Sequence, residues 1–232
     1  MRNNKVLIIT DSVSMPRPGI PYEDTWIYLL KKKYPELDII DRPARGAISR
    51  RLVTEGGGGA DLLETYMPGI VIIQLGLAEC APRLFKKTGF EYYFMNKILS
   101  HTLRTRYINY IKKRRPRKQE LAEVSPDEFR RNLDMFMQRC TKCGSRVLYI
   151  KILRATDLYL SKSPDIQKSI DTYNAVLDEI DLKYDNFESI SPIKNSIDVN
   201  SICLDELHIT KEGNKIYYKA VDSYFRKLFR SS

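Results

Sequence analysis

Lys5-Val-Leu-Ile-Ile-Thr-Asp-Ser12 sets the reading of the whole chain. A short apolar run closed by a polar triplet predicts a strand buried on both faces. Pro16, Pro18 and Gly19 follow at once and predict the turn that leaves it. In an open α/β sheet, chemistry collects just past the carboxyl ends of the strands, where Ser12 sits. An Asp-Ser pair also forms ordinary turns. Ser12 therefore becomes a candidate nucleophile only if the chain supplies it with a base and an orienting acid.

Beyond this stretch, apolar runs and helical stripes alternate. Trp26, Ile27, Leu29 and Leu30 recur at helical spacing up to Pro35. Leu37–Ile40 predicts a short strand, with Asp41-Arg-Pro43 leaving it. A short helix is expected after Arg45-Gly46-Ala47, through Leu52. Four consecutive glycines, Gly56 to Gly59, read as a flexible connection, and Ala60–Tyr66 as a helix. Ile70-Val-Ile-Ile-Gln-Leu75 predicts the clearest buried strand, with Gly76 to Arg83 as the loop beyond it. Ser125-Pro126 and Glu128 mark the capped start of a helix to Cys140, with a capping box at its entry. Val147–Ile152 and Phe187–Ile190 predict the remaining strands, separated by a helix over Ser163–Tyr184. Thr210 caps a final helix. Strands alternating with helices argue for a parallel sheet covered on both faces. The expected architecture is one three-layer α/β/α domain over residues 1–232 with about five strands and a basic helical insertion near 90–120.

Composition narrows the class. The chain has no apolar run long enough to cross a membrane. The run after the basic N-terminus stops at Ile9 with no small-residue cleavage site, so a cytoplasmic location is expected. Cys80, Cys140, Cys143 and Cys203 are too scattered for a disulfide framework. Cys140-Thr-Lys-Cys143 closes a helix rather than opening one and has no second pair, so reduced structural thiols are expected, with no metal and no cofactor. The net charge of +10 is concentrated in one segment: Tyr92 to Gln119 holds nine Lys or Arg and no acid. A lid beside the site with an anionic partner, or a solvated helix, would explain this charge. No recognised motif for specific nucleic-acid binding accompanies it.

Of the two histidines, His101 lies in that basic segment with no carboxylate near it in sequence. His208 follows Asp205 by three residues just before the last helix. That spacing lets a carboxylate reach the far ring nitrogen and fix the tautomer. Thr10-Asp11-Ser12 after the first strand, Gly46 after the second, Gly76 after the third and Asp205-x-x-His208 before the last helix come in the order found in the SGNH (GDSL-type) hydrolases, which the chain resembles over nearly its whole length. Tyr173-Asn174, Thr210 and Gly213 also fit.

The resemblance implies a flavodoxin-like fold with Ser12 as nucleophile, His208 as base and Asp205 orienting it. The N–H groups of Ser12 and Gly46 would form part of the oxyanion hole. It further implies an ester hydrolase acting on O-acyl groups, with acylated carbohydrates as one substrate class. The rivals are an acyltransferase using the same serine and a weakly active or inactive binding protein. Two positions depart from the pattern: Thr10 stands in place of a glycine, and Ala78 in place of the asparagine that donates to the oxyanion. Gln74, Arg83 and Asn174 are possible replacement donors. Arg83, Arg17 and Arg45 lie on the same edge and are candidate substrate contacts.

Overall fold

In a computed structural model, residues 4–54, 59–86, 89–114, 118, 121–194 and 196–230 are described. The basic N-terminal triplet, Gly56 to Gly58, and Arg115 to Arg117 lie outside them.

Five strands form one parallel sheet: β1 (Lys5–Thr10), β2 (Asp38–Pro43), β3 (Ile70–Gln74), β4 (Arg146–Ile150) and β5 (Phe187–Ile190). Their order is β2-β1-β3-β4-β5. Val6 to Ile9 and Val71 to Ile73 are fully buried. Helices cover both faces, which is why these strands read as unbroken apolar runs rather than alternating ones. β1 therefore has neighbours on both sides, pairing Thr10 with Pro43 of β2 and with Gln74 of β3. The direction of strand addition reverses at β1, and the crevice at such a reversal is where these sheets bind ligands. Ser12 leaves β1 at that point.

The helices are α1 (Trp26–Lys33), α2 (Gly59–Tyr66), α3 (Leu77–Cys80), α4 (Phe90–Lys97), α5 (His101–Arg114), α6 (Pro126–Lys142), α7 (Asp157–Lys162), α8 (Ile166–Lys183) and α9 (Lys211–Arg230). α1 packs on α9, and α6 packs on α8. The Tyr34 hydroxyl just after α1 donates to Asp222 of α9 at 2.7 Å.

Several boundaries differ from expectation for physical reasons. β2 runs through Asp41-Arg-Pro43 instead of ending at Ile40. It is an edge strand, where a proline lacking an N–H is tolerated, and Asp41 and Arg42 are held by Lys31 and Tyr66. Gly76 to Arg83 contains a helical turn, α3, entered through Gly76 at φ 115°. Ser49–Leu52 forms a 3₁₀ turn. α8 starts at Ile166, not Ser163, because Ser163 closes α7, which the apolar pattern did not reveal. At α6, Ser125 Oγ accepts from Glu128 N–H at 3.2 Å. The return half of the capping box is missing, since the Glu128 carboxylate is drawn off to Arg50 (Nη2 2.9 Å).

Candidate active site

Asp11 N–H donates to Gln74 O at 3.1 Å, which ties the end of β1 to the end of β3. The Asp11 carboxylate then accepts from Val13 N–H at 2.8 Å and caps a 3₁₀ turn over Ser12–Ser14. The turn points Ser12 out while Asp11, Val13 and Ser14 stay buried. Burial pushes the Asp11 carboxyl up to about 7, against the pull of the Val13 bond and of Arg17.

The Ser12 Oγ lies 3.4 Å from His208 Nε2, across 196 positions of sequence. His208 Nδ1 lies 2.7 Å from Asp205 Oδ2. The other oxygen, Asp205 Oδ1, accepts from Leu207 N–H at 3.0 Å and from His208 N–H at 2.9 Å. The carboxylate thus shapes the loop with one oxygen and orients the ring with the other. Partial burial would raise the Asp205 carboxyl, but these N–H groups and His208 outweigh it and hold it below its usual value. Thr210 fastens the loop, with its N–H donating to Ile202 O at 2.8 Å and its Oγ1 accepting from Gly213 N–H at 3.1 Å.

A buried chain of hydrogen bonds joins the two halves. The Ser14 hydroxyl donates to Gln74 Oε1 and accepts from the Trp26 indole at 3.1 Å. Trp26 N–H donates to Asn214 Oδ1 at 3.0 Å, and Asn214 Nδ2 donates to Thr210 O at 3.0 Å. The turn holding Ser12 and the loop holding His208 are thereby registered through the start of α1. Ser14 and Asn214 were not singled out from sequence, and Trp26 was read only as part of a helical stripe. Only Asn214, four residues past the cap, sits where a pattern could have flagged it.

Gly46 occupies the left-handed region, φ 67°, in a turn closed by Ala47 N–H to Ala44 O at 3.1 Å. Among the described residues, neither Ser12 N–H nor Gly46 N–H donates to a protein acceptor. Ala78 sits in α3 with no polar side-chain atom. Asn174 is fully engaged elsewhere, accepting from Ile152 N–H at 2.9 Å and donating to Ile152 O at 3.0 Å. Gln74 is buried, with its Oε1 taken by Ser14.

The arginines divide by partner. Arg17 donates to Ser12 O and braces the turn itself. Burial lowers its pKa, with Asp205 opposing and Arg45 reinforcing that shift, so all three side chains share one locality. Arg45 is exposed and makes no hydrogen bond or ion pair among the described residues. Arg83 donates to Ala78 O and lies 3.7 Å from Glu123. The sequence marks it as the leading substrate contact; in the structure its Nη2 also braces α3 through Ala78 O. His101 is exposed at the start of α5.

Glu79 is a buried carboxylate with no counterpart in the sequence reading. It accepts from Ser49 N–H at 3.0 Å and from Ser49 Oγ at 2.7 Å, and Asn132 donates to the same hydroxyl at 3.0 Å. Burial pushes its pKa up to about 7 despite the Ser49 bonds. It pins the segment after Gly46 to α3. All four cysteines are free. Among the described residues, no group of three or more His, Cys, Asp or Glu is arranged to hold a metal ion.

The sequence matches no family model and no curated protein. The structure does match solved structures. A GDSL-like lipase from Bacteroides thetaiotaomicron superposes with a TM-score of 0.61 at 13% identity, covering 97% of this chain and 89% of that one. A catalytic mutant of the acetylxylan esterase Axe2 from Geobacillus stearothermophilus gives 0.59 at 14%, covering 94% and 91%. The psychrotrophic esterase EstA from Pseudoalteromonas sp., inhibited by monoethylphosphonate, gives 0.56 at 17%, covering 98% and 99%. The five-stranded α/β domain built outward from Ser12 therefore has the fold of the SGNH (GDSL-type) esterases and lipases.

Proposed function

We propose that the protein is a serine ester hydrolase working through an acyl-Ser12 intermediate. The observation that carries this reading is the Ser12–His208–Asp205 relay, at 3.4 and 2.7 Å, on the carboxyl edge of the sheet where its order reverses. Ser12 Oγ attacks the ester carbonyl while His208 Nε2 takes its proton. Asp205 Oδ2 accepts from Nδ1–H and stabilises the imidazolium. A gap of 3.4 Å is ordinary for a relay that tightens once substrate arrives. The tetrahedral oxyanion faces the N–H groups of Ser12 and Gly46. His208 returns its proton to the leaving alcohol. Water, deprotonated by His208, then attacks the acyl-serine, releasing the acid and restoring Ser12.

With Ala78 offering no side-chain donor, two backbone groups carry the oxyanion. Losing one such donor costs about 10²–10³ in rate, so a modest turnover number is expected. The acetylxylan esterase among the structural neighbours supports an O-acyl group on a carbohydrate as substrate. Arg45, exposed beside the relay, favours a substrate carrying negative charge.

The test uses an activated acetyl ester and a serine-directed phosphonate on the wild-type chain, Ser12→Ala and His208→Ala. Turnover and a single covalent label are expected only where Ser12 and His208 are both present. Labelling that survives Ser12→Ala would overturn the assignment. A wild-type chain that takes no label would favour a binding protein on this fold.

A further inference from the structure

We infer that the α4–α5 hairpin is a docking surface for an anionic lipid bilayer. On α4 and its C-cap residue Ile98, the apolar groups Phe90, Tyr93, Phe94 and Ile98 recur at third and fourth positions, so they share one face. That face is turned to solvent: Phe90 is 80% exposed and Ile98 60%. The Phe90 and Phe94 rings lie 6.4 Å apart along it. Met95, on the opposite side, is buried and anchors the helix. α5 repeats the arrangement with Leu103 and Tyr110 exposed at 53% and 52%, while Ile111 is buried. Between and beside these groups stand exposed Lys97, Arg106, Lys112 and Arg114. The Arg114 guanidinium lies over the Tyr110 ring at 4.4 Å.

Neither half of this surface is explained by folding. Bulky apolar groups turned outward on consecutive turns enlarge the exposed apolar area and mark a contact site. The sequence holds nine cations and no acid between Tyr92 and Gln119, and among the described residues the exposed Lys97, Arg106, Lys112 and Arg114 set a positive field around that area. Together they match the interface of a bilayer with negative headgroups, where cations meet phosphates and aromatic and aliphatic tips enter the acyl boundary. A second copy of the chain would bring the same positive field against itself. A nucleic acid would satisfy the cations but gain little from Ile98 or Leu103.

The hairpin leaves the domain next to α3. Its base is closed by Arg83 N–H to Lys118 O at 3.1 Å and Lys118 N–H to Arg83 O at 2.8 Å, five residues past Ala78. Docking there holds the membrane near the edge that carries Ser12.

Cosedimentation of the full-length protein with phosphatidylcholine vesicles, with and without phosphatidylglycerol, tests this. Binding is expected only with the anionic lipid, and molar salt, which screens charges beyond about 3 Å, should release it. The double variant Phe90→Ser/Ile98→Ser keeps every charge and should bind on the order of tenfold or more weakly. Arg106→Glu/Lys112→Glu should lose binding altogether. Both pairs are exposed, so their melting temperatures should match wild type and confirm that they fold. Vesicle binding is read without ester turnover, so its outcome is independent of the role of Ser12.

The inference is overturned if binding is indifferent to phosphatidylglycerol. It is equally overturned if the Phe90/Ile98 variant binds as wild type. Absence of vesicle binding, with either a dimer that the Phe90/Ile98 variant dissociates or tight binding to a single-stranded oligonucleotide, would assign the face to another partner.

Discussion

Asp205→Asn separates the two tasks that one carboxylate performs. Oδ1 holds the loop through Leu207 N–H and His208 N–H, and an asparagine carbonyl oxygen can keep both bonds. Oδ2 faces His208 Nδ1 at 2.7 Å. An amide nitrogen in that place donates rather than accepts. It would force the ring into the tautomer with its proton on Nε2, which cannot take the Ser12 proton. A wrong tautomer of this kind costs about 10⁴ in kcat, equivalent to about 5 kcal/mol of barrier. Stability should barely move. Asp205→Ala, by contrast, also loses the two loop bonds. Each would contribute about 1 kcal/mol if buried, but Asp205 is half exposed and water replaces part of the loss. A cost of about 1 kcal/mol, or roughly 2–4 °C in Tm for a chain of this size, is expected for Ala and close to zero for Asn. The assay is kcat on an activated acetyl ester alongside thermal unfolding of both variants. An Asn variant within about tenfold of wild type, or one that melts as low as Ala, would refute the division of labour.

Two glycines should respond differently. A Cβ at Gly213 would lie 2.8 Å from Ile202 O and 2.8 Å from Ile209 Cβ, pressing on the loop that carries His208. Gly213→Ala should cost about 1–3 kcal/mol and also lower kcat. A Cβ at Gly46 meets nothing within 4 Å, so Gly46→Ala should cost only the left-handed backbone, about 1 kcal/mol, as read by urea unfolding. Burial pushes the Asp11 and Glu79 carboxyls up to about 7 in the folded chain, from ordinary values of 3.8 and 4.5. The folded state therefore keeps protons that the unfolded state has released. Their contribution is fully present below about pH 4 and is lost as pH rises through about 7. Unfolding free energy should fall across that window, and Glu79→Gln should flatten the slope; an unchanged slope would contradict the burial argument. Cys80 and Cys140 are buried, which pushes both thiols up. Mass spectrometry should find them unalkylated by iodoacetamide until denaturant is added.

Legibility followed the range of the interactions. β1, β3 and β4 were readable because burial on both faces leaves an uninterrupted apolar run. Their alternation with helices made a covered parallel sheet readable, while the flavodoxin-like character came only from the resemblance to the SGNH hydrolases. Asp205-x-x-His208 and the strand end at Ser12 were visible as candidates, but spacing alone fits an ordinary surface turn equally well, and only the resemblance to the SGNH hydrolases gave them roles. The contacts between distant segments carry no such signature. Glu79 becomes a structural carboxylate only when Ser49, thirty positions earlier, comes to meet it. Arg83 gains its bond to Ala78 O only once α3 forms, a contact that no local pattern announces. Pro43 ends a strand in sequence, yet at a sheet edge it continues one. Glu128 matched a capping box by spacing, but Arg50 was the stronger partner for its carboxylate.

Trp26 is the chain's single tryptophan, and its indole N–H rests on Ser14, two residues from Ser12. An optical probe is thus already wired to the nucleophile turn, with no other indole to blur the signal. Acylation or phosphonylation of Ser12 would change the field and hydrogen bonding felt by that ring. Emission recorded during a single turnover could then follow the lifetime of the acyl-enzyme directly, without a label or a chromogenic substrate.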